Sequence, residues 1–348
     1  MKQYISSQKQ KRLVALFFLF LTLLGLFLGS GYGIPWDEKM EQEILKQNIY
    51  EYAIIFLGAD NPMVHDLSRH VIRISESIER DHGSALFYPM AFILIIRNAH
   101  LVMQIWHIYI WFLFMLGVIA IYMIMREIGV PRIIGCLASL LLYFSPRFFA
   151  EGHYNNKDVM LLSMALCIFA LAARLSRDHR FRWVLLFSLF GAFTANLKII
   201  GVFAWGLAGA AVLWRWMLDK SFGKRELRIL AAGVITFLAA YFLITPALWS
   251  HPIGFFRYLI DNMTHFSRWE GTVLFQGKLY DPAHGSTLPW YYLPQLILMT
   301  IPVPYLLLAL FGQVCAIIMC AKGDCNRPIL VAITVFWILP LVFAMLSN

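Results

Sequence analysis

The sequence predicts an all-α polytopic membrane protein, and three observations support this fold class. Hydrophobic residues make up 60% of the 348 residues and charged residues only 14%, whereas a soluble domain is about 45–50% apolar and about 25% charged. Apolar runs of membrane-spanning length recur along the chain, and basic residues gather between them on one side. This composition excludes a soluble globular enzyme, a disordered chain and a small disulfide scaffold.

Nine apolar runs are predicted to be transmembrane helices. A helix needs about 20 mostly apolar residues to cross the hydrocarbon core, where it alone satisfies its backbone polar groups. The stretch from Val184 to Trp214 is too long for one span and carries Asn196 and Lys198 at its middle, which predicts a hairpin of two short helices. The predicted spans are Leu13–Ser30, Ile105–Met125, Ile133–Phe149, Val159–Ala173, Trp183–Ala195, Ile199–Arg215, Ile229–Thr245, Ile301–Cys320 and Ile329–Leu346.

The positions of the basic residues predict that the N-terminus lies in the cytoplasm. In that orientation the inner segments hold 17 of the 29 Lys and Arg residues but only 5 of the 20 acidic residues, as the positive-inside rule expects. The net charge of +9 therefore reflects topology, and no nucleic-acid partner is expected. The run Leu13–Leu28 is interpreted as an anchoring helix, with a cleaved signal peptide as the alternative.

Three segments on the predicted outer side are candidates for the functional site: a loop over 31–104, a turn over 150–158 and a loop over 247–289. Long connections without regular structure are uncommon unless they are functional. In the first loop, Met40–Leu57 carries apolar side chains at helical spacing, which predicts a helix lying on the membrane surface. The whole chain, 1–348, is interpreted as one transmembrane domain.

Asp37 and Glu38 follow the first span directly, at the predicted membrane boundary. Reduced solvation and mutual repulsion can tune one of two adjacent carboxylates as a proton acceptor. The alternative is structural, because Asp37 could cap the next helix and Glu38 could favour its first turn. Spacing alone leaves both interpretations open.

The turn after the third predicted span is dense in ionisable groups, among them His153, Lys157 and Asp158. Charges beside hydrocarbon are costly unless they face a cavity or one another. The alternative is a proline that ends one helix and an aspartate that caps the next.

Three further basic side chains are candidates for binding a lipid-linked phosphate. Lys198 lies between two short apolar helices, and His251 and Arg257 follow in the third outer segment. Cationic side chains bind phosphate oxygens through charge-assisted hydrogen bonds. A lysine at this depth can also simply extend to the headgroups.

No cofactor is expected with certainty. Many histidines lie in the predicted outer segments, so a divalent metal stays open as an alternative, but no H-E-x-x-H or comparable ligand spacing occurs.

These motifs together resemble the polyprenyl-phosphate-sugar-dependent glycosyltransferases of the C-type membrane fold. The nearest likeness is to glycosyltransferase family 39, the protein O-mannosyltransferases, and to bacterial lipid-A aminoarabinose transferases. The resemblance extends from about residue 13 to 310. Its motifs are Asp37-Glu38, His82–Pro89, Asn155–Asp158, Thr194–Lys198, Pro246–Pro252, Leu274–Gly277 and Leu288–Pro294.

The resemblance implies roles for particular residues and partners. Asp37 would be the catalytic acid/base residue with Glu38 beside it, Asp158 would belong to the same site, and Lys157, Lys198 and Arg257 would hold the carrier phosphate. The donor would be a polyprenyl-phosphate sugar and the acceptor a lipid, a glycan or a protein. A bacterial inner membrane with a periplasmic site is favoured, and the endoplasmic reticulum membrane is the alternative.

Two other function classes compete with the enzyme. A transporter or flippase for a lipid-linked substrate would place ionisable groups near the bilayer midplane, often in repeated halves, and no such repeat is evident. A noncatalytic assembly subunit would keep the fold without the chemistry. Release of the sugar from its carrier would distinguish the enzyme from both.

Overall fold

The computed structural model describes residues 2–264, 271–323 and 327–346, and these residues are mostly helical. The helices are α1 (Lys2–Leu28), α2 (Glu38–Leu57), α3 (Pro62–Ser68), α4 (Ala99–Glu127), α5 (Arg132–Tyr143), α6 (Pro146–Tyr154), α7 (Asp158–Leu175), α8 (Phe181–Leu197), α9 (Ile200–Leu218), α10 (Lys224–Ile244), α11 (Ala247–Ser250), α12 (Pro252–Thr264), α13 (Tyr292–Thr300), α14 (Val303–Ala321) and α15 (Arg327–Leu346). Short 3₁₀ segments cover Gly29–Gly31, Ile74–Glu76, Ala85–Ile95 and Pro282–His284. The antiparallel strands β1 (Val273–Phe275) and β2 (Lys278–Tyr280) place Leu274 opposite Leu279.

Seven helices of the described chain are long and apolar enough to cross a membrane: Gln8–Leu28 within α1, and α4, α7, α9, α10, α14 and α15. The bent pair α5–α6 would raise the number to eight. The predicted hairpin is present, because α8 ends at Leu197 and α9 begins at Ile200. However, α8 has only 17 residues, so the predicted number of nine spans is not confirmed. The chain is a multi-pass membrane protein.

The predicted span Ile133–Phe149 is not one continuous helix. The structure divides this run into α5 and α6, whose axes differ by 70°. Pro146 is the first residue of α6, and the residue before a proline is disfavoured in helical geometry. Ser145 accordingly has an extended backbone (φ −64°, ψ 116°), so α5 ends before it.

The core of the bundle forms around α4 and α7. Gly117 of α4 faces Ser163 of α7, and a Cβ on Gly117 would lie 2.6 Å from the serine Oγ. Small residues at such contacts let membrane helices approach closely. Buried aromatic side chains of α4 (Trp106, Trp111 and Phe114) continue the core toward α1. A second cluster joins α7 to α8, α9 and α15. Close helix approach and buried aromatic side chains therefore join α4 to both α7 and α1.

The segments between the long helices gather at one end of the bundle, which we call the site face. The Tyr88 hydroxyl, in the 31–104 segment, donates a 2.7 Å hydrogen bond to the Ile244 carbonyl at the end of α10. Tyr258 of α12 donates to the Ile78 carbonyl at 2.6 Å. The helix predicted over Met40–Leu57 is confirmed as α2.

The opposite end of the bundle carries clusters of basic residues. Arg174, in the last turn of α7, pairs with Glu127 at the end of α4 at 3.2 Å. His179 lies 2.9 Å from Glu226 at the beginning of α10. These contacts join basic residues at this end to acidic partners on neighbouring helices.

Candidate functional site

The site begins at the N-terminus of α2, where three carboxylates have different environments. Asp37 stands immediately before the helix and is exposed, and its side chain makes no capping hydrogen bond. The structure therefore gives no support to the interpretation of this side chain as a helix cap. Glu38 and Glu41 are each 2% exposed. Because Asp37 and Glu41 are four positions apart, they share one side of the first turn.

Glu38 is held by a histidine from the first third of a membrane-spanning helix. Nε2 of His107, in α4, lies 2.8 Å from Oε2 of Glu38, and both side chains are buried. A carboxylate only accepts, so the imidazole N–H is the donor. This hydrogen bond fixes the beginning of α2 to α4, and with it the position of Asp37.

Glu41 is paired with Lys157 of the 150–158 turn, a residue more than a hundred positions away in the chain. The Lys157 Nζ also lies 3.2 Å from Nδ1 of His82. The Nδ1 atom of His82 is also 2.7 Å from a carboxylate oxygen of Glu79. The predicted turn and the His82–Pro89 motif therefore meet at the first turn of α2.

Burial governs the proton affinity of Glu41. Desolvation raises the pKa of its carboxyl above the ordinary value of 4.5, and the Lys157 ammonium opposes this rise. A carboxylate taken out of water loses hydration that a single cation only partly replaces. Glu41 is thus easier to protonate than an exposed glutamate.

The turn before α7 is shaped by Asn155. Its side-chain oxygen accepts from the backbone N–H groups of Lys157 (3.1 Å) and Asp158 (2.8 Å). The structural alternative, in which Asp158 caps α7, is therefore not what the structure shows. The Asp158 carboxylate instead lies 2.5 Å from Nζ of Lys198. We call Glu41, His82, Lys157, Asp158 and Lys198 the lysine site.

Asn196, at the end of α8, anchors the segment that carries His82. It accepts from the backbone N–H of Gly83 (2.9 Å) and of Ala85 (3.0 Å), and it donates to Thr245 Oγ1 (2.9 Å). A Cβ on Gly83 would lie 2.1 Å from the Asn196 carbonyl oxygen. Asn196, the polar residue between the two helices of the predicted hairpin, therefore binds the 83–85 backbone to α8. Lys198 lies two residues after it.

His251 and Arg257 lie at the edge of this arrangement. Both are exposed, and Arg257 lines a shallow cavity with Ile253, Phe256, Ile260 and Asp261 on α12. The same helix contacts the 77–82 segment, since Asn262 donates to Asp81 at 2.6 Å. No described contact joins either residue to Lys157 or Lys198.

His153 is buried in an aromatic stack. Its ring lies parallel to Trp111 at 4.3 Å and nearly parallel to Tyr32 at 4.7 Å. It lines a cavity of about 220 Å³, which we call the histidine cavity. The other lining residues are Leu26, Gly29, Tyr32, Met103, Gln104, His107, Ile108 and Trp111. None is a lysine or arginine, so the structure does not bring His153 into the predicted phosphate site.

Within the described residues, no group of three or more His, Cys, Asp or Glu side chains is arranged to hold a metal ion. His265, one of the predicted outer histidines, lies outside those residues.

Long apolar helices with charged motifs gathered at one end define a multi-pass membrane protein with a polar site at a membrane boundary. Residues 90–256 match the family model of the dolichyl-phosphate-mannose-protein mannosyltransferases. The matched segment is a little under half of the chain, and the match supports the resemblance drawn from the motifs. No curated protein and no solved structure matches the chain.

The description of the matched family names dolichyl-phosphate mannose as donor and a protein as acceptor. The match favours a membrane glycosyltransferase over a transporter. The matched segment contains His107, His153, Lys157, Asp158 and Lys198. Asp37 and Arg257 lie outside it.

Sequence reasoning missed two residues that the structure brings to the site. His107 lies within an apolar run, where an ionisable side chain is itself a signal of function. Glu41 is one of several charged and polar residues at the beginning of α2, and nothing in the sequence distinguishes it from the others. Nothing in the spacing of the sequence indicates its contact with Lys157.

Proposed function

We propose that this protein transfers a sugar from a polyprenyl-phosphate carrier to an acceptor hydroxyl, with Asp37 as general base and inversion at C1. The observation that carries the proposal is the meeting of three distant motifs at one place. The first turn of α2 contacts Lys157, Lys157 contacts His82, and the next residue, Asp158, pairs with Lys198. Asp37 is exposed one helical turn from Glu41.

The reaction needs two charged groups with opposite tasks. The acceptor oxygen attacks C1 of the sugar, and its proton passes to Asp37. The bond from C1 to the phosphate oxygen breaks, and its electron pair stays on the phosphate. Lys157 and Lys198 would stabilise the negative charge that develops there. Attack from the face opposite the leaving phosphate inverts the configuration, as in inverting glycosidases.

The remaining basic residues have lesser parts in this proposal. Arg257 and His251 are exposed on the flank of the 77–82 segment, where they could attract the anionic headgroup before it reaches the lysines. Asp158 would orient Lys198, and Glu38 would orient α2 through His107. The acceptor is proposed to be a protein hydroxyl, with lipid and glycan hydroxyls as the alternatives.

The test is transfer of radiolabelled mannose from dolichyl-phosphate mannose by purified Asp37→Asn protein. The amide cannot take the proton, so we expect the rate to fall by at least about 10²-fold. Asp60→Asn is the matched control, because Asp60 is also exposed and follows the other end of α2. Wild-type turnover in Asp37→Asn would refute the base, and retention of configuration at C1 would refute inversion.

The membrane orientation is part of the proposal. We place the site face on the extracytoplasmic side, in a bacterial inner membrane or, alternatively, the endoplasmic reticulum. The basic clusters at the opposite end of the bundle support this placement.

A further inference from the structure

The histidine cavity lies between α1, α4 and α6, on the His107 side of Glu38. Its volume of about 220 Å³ is below the roughly 300–1,000 Å³ of pockets for drug-sized ligands. Leu26 of α1 and Ile108 of α4 stand at its apolar rim, and Ile108 is 46% exposed. The cavity therefore fits a small group that enters between two membrane helices.

One polar atom beside this cavity has no partner. Nε2 of His153 is buried and makes no hydrogen bond to any described residue. The ring cannot turn away easily, because it is stacked between Trp111 and Tyr32 and its Nδ1 lies against Gly29. Leaving a buried polar atom unpaired is costly. A rigidly held, unpaired imidazole nitrogen is what a ligand hydroxyl would satisfy.

The second imidazole of the cavity connects it to the reaction. His107 lines the cavity and donates to Glu38, the residue after Asp37. None of the lining residues is a lysine or arginine, so the cavity does not suit a phosphate. Its aromatic walls and imidazole groups suit a neutral group that carries hydroxyls.

We propose that the histidine cavity binds the neutral, hydroxyl-bearing group of one substrate, with His153 as a binding residue. This inference rests on the proposed function, and it adds a subsite separate from the lysine site. Two sources share the required chemistry: the sugar ring of the donor and the hydroxyl-bearing end of the acceptor. His107 acts as a positioning residue between this subsite and α2.

The test compares His153→Phe and His153→Gln with the wild type. Phenylalanine keeps the aromatic stack and removes the nitrogen, whereas glutamine keeps a polar group near the Nε2 position. Binding of dolichyl-phosphate mannose and of dolichyl phosphate is measured on the purified protein, together with KM for the acceptor. Trp216→Phe is the matched control, since Trp216 is buried at the opposite end and its Nε1 is also unpaired.

The two sources give different results. If the sugar occupies the cavity, His153→Phe weakens dolichyl-phosphate mannose binding about tenfold, as expected for a lost buried hydrogen bond, and leaves dolichyl phosphate binding unchanged. If the acceptor occupies it, binding of both carriers is unchanged and the acceptor KM rises about tenfold. His153→Gln should recover part of the loss in either case.

A second variant guards against a folding defect. Ile108→Trp fills the cavity from its exposed rim without replacing either histidine, and it should reproduce the same selective loss. If both variants transfer sugar with wild-type binding and wild-type KM, the inference is overturned. If the wild type neither binds nor uses dolichyl-phosphate mannose, the proposed function fails, and the ligand assigned to the cavity fails with it.

Discussion

Two carboxylates one helical turn apart show how position decides chemistry. Asp37 is exposed and makes no described side-chain hydrogen bond, whereas Glu41 is 2% exposed and paired with Lys157. A buried ion pair is weak support for stability, but a single buried charge without its partner is strongly destabilising. In the proposed reaction Asp37 is therefore available to take a proton, and Glu41 holds Lys157 in place.

The pairing predicts the behaviour of Lys157→Met. Removing the ammonium leaves Glu41 as an unpaired buried carboxyl, so we expect a loss of about 3–5 kcal/mol in the free energy of unfolding. The double variant Glu41→Gln with Lys157→Met should recover most of that stability. Transfer should stay reduced by about 10²-fold in both variants, because the phosphate loses a cation. Thermal unfolding in detergent and transfer rates would show whether stability and activity separate, and recovery of both together would contradict a role for Lys157 in binding phosphate.

The raised pKa of Glu41 predicts a pH effect on stability. Between the ordinary pKa of 4.5 and the higher folded-state pKa, the folded protein binds more protons than the unfolded chain. The contribution of Glu41 to stability is thus fully present below pH 4.5 and is lost as pH rises through the folded-state pKa. Glu41→Gln lacks this component, so its Tm relative to the wild type should increase with pH. Glu43→Gln is the control, and curves parallel to the wild type for both variants would contradict the prediction.

At the residue scale, the sequence indicates candidate site residues where two ionisable residues are adjacent in the chain. Asp37-Glu38 and Lys157-Asp158 lie at the same end of the bundle, where Lys157 pairs with Glu41 in the first turn of α2, and their roles stay predictions. His107 escapes prediction because its partner is far away in the sequence, and the stacking of His153 depends on Tyr32 and Trp111 from two other elements. Such contacts follow from packing, which local spacing does not encode.

At the scale of elements, α2 and the α5–α6 bend differ in how well the sequence predicts them. The apolar spacing of Met40–Leu57 is a local property, so the helix is predicted correctly. The run 133–149 is apolar throughout, and hydropathy alone cannot detect that Pro146 begins a new helix. The bend matters, because it directs α6 across the bundle and brings His153 to Trp111.

The anchoring of the 79–85 segment on α8 predicts the effect of Gly83→Ala. The added methyl group would lie 2.1 Å from the Asn196 carbonyl oxygen, so the segment must shift away from α8. We expect a loss of about 2 kcal/mol in stability, typical of an overpacked contact, and reduced transfer because His82 moves from Lys157. Gly31→Ala is the matched control, since a Cβ there meets no atom within 4 Å. Equal Tm values for the two variants would contradict this anchoring role.

At the scale of the whole molecule, the contrast between the two ends of the bundle is the main feature. The sequence predicts such a contrast from charge counts, which sum over many residues and so tolerate local errors in the spans, and the orientation in the membrane stays a prediction. The number of spans is harder to predict from the sequence, because α8 is shorter than the other long apolar helices and the α5–α6 pair is bent by 70°. Side-chain convergence at the site face comes only with the packing of α2, α4 and the turn before α7.

The orientation can be tested with single cysteines in a background from which the five native cysteines are removed. Asp60→Cys lies beyond the end of α2 and Lys224→Cys at the beginning of α10, and both positions are exposed. A membrane-impermeant maleimide applied to intact cells should label position 60 and not position 224. Labelling of position 224 alone would place the site face in the cytoplasm and contradict the proposed direction of transfer.

Trp36, the residue before Asp37, is 99% exposed and has an exposed neighbour in Ile34. An indole ring of this kind partitions into the glycerol layer of a bilayer, and it would pull the start of α2 into that layer. The depth of the general base would then follow the thickness of the surrounding lipid. Turnover should consequently vary with acyl-chain length in reconstituted vesicles, and Trp36→Ala should flatten that variation while leaving the protein folded.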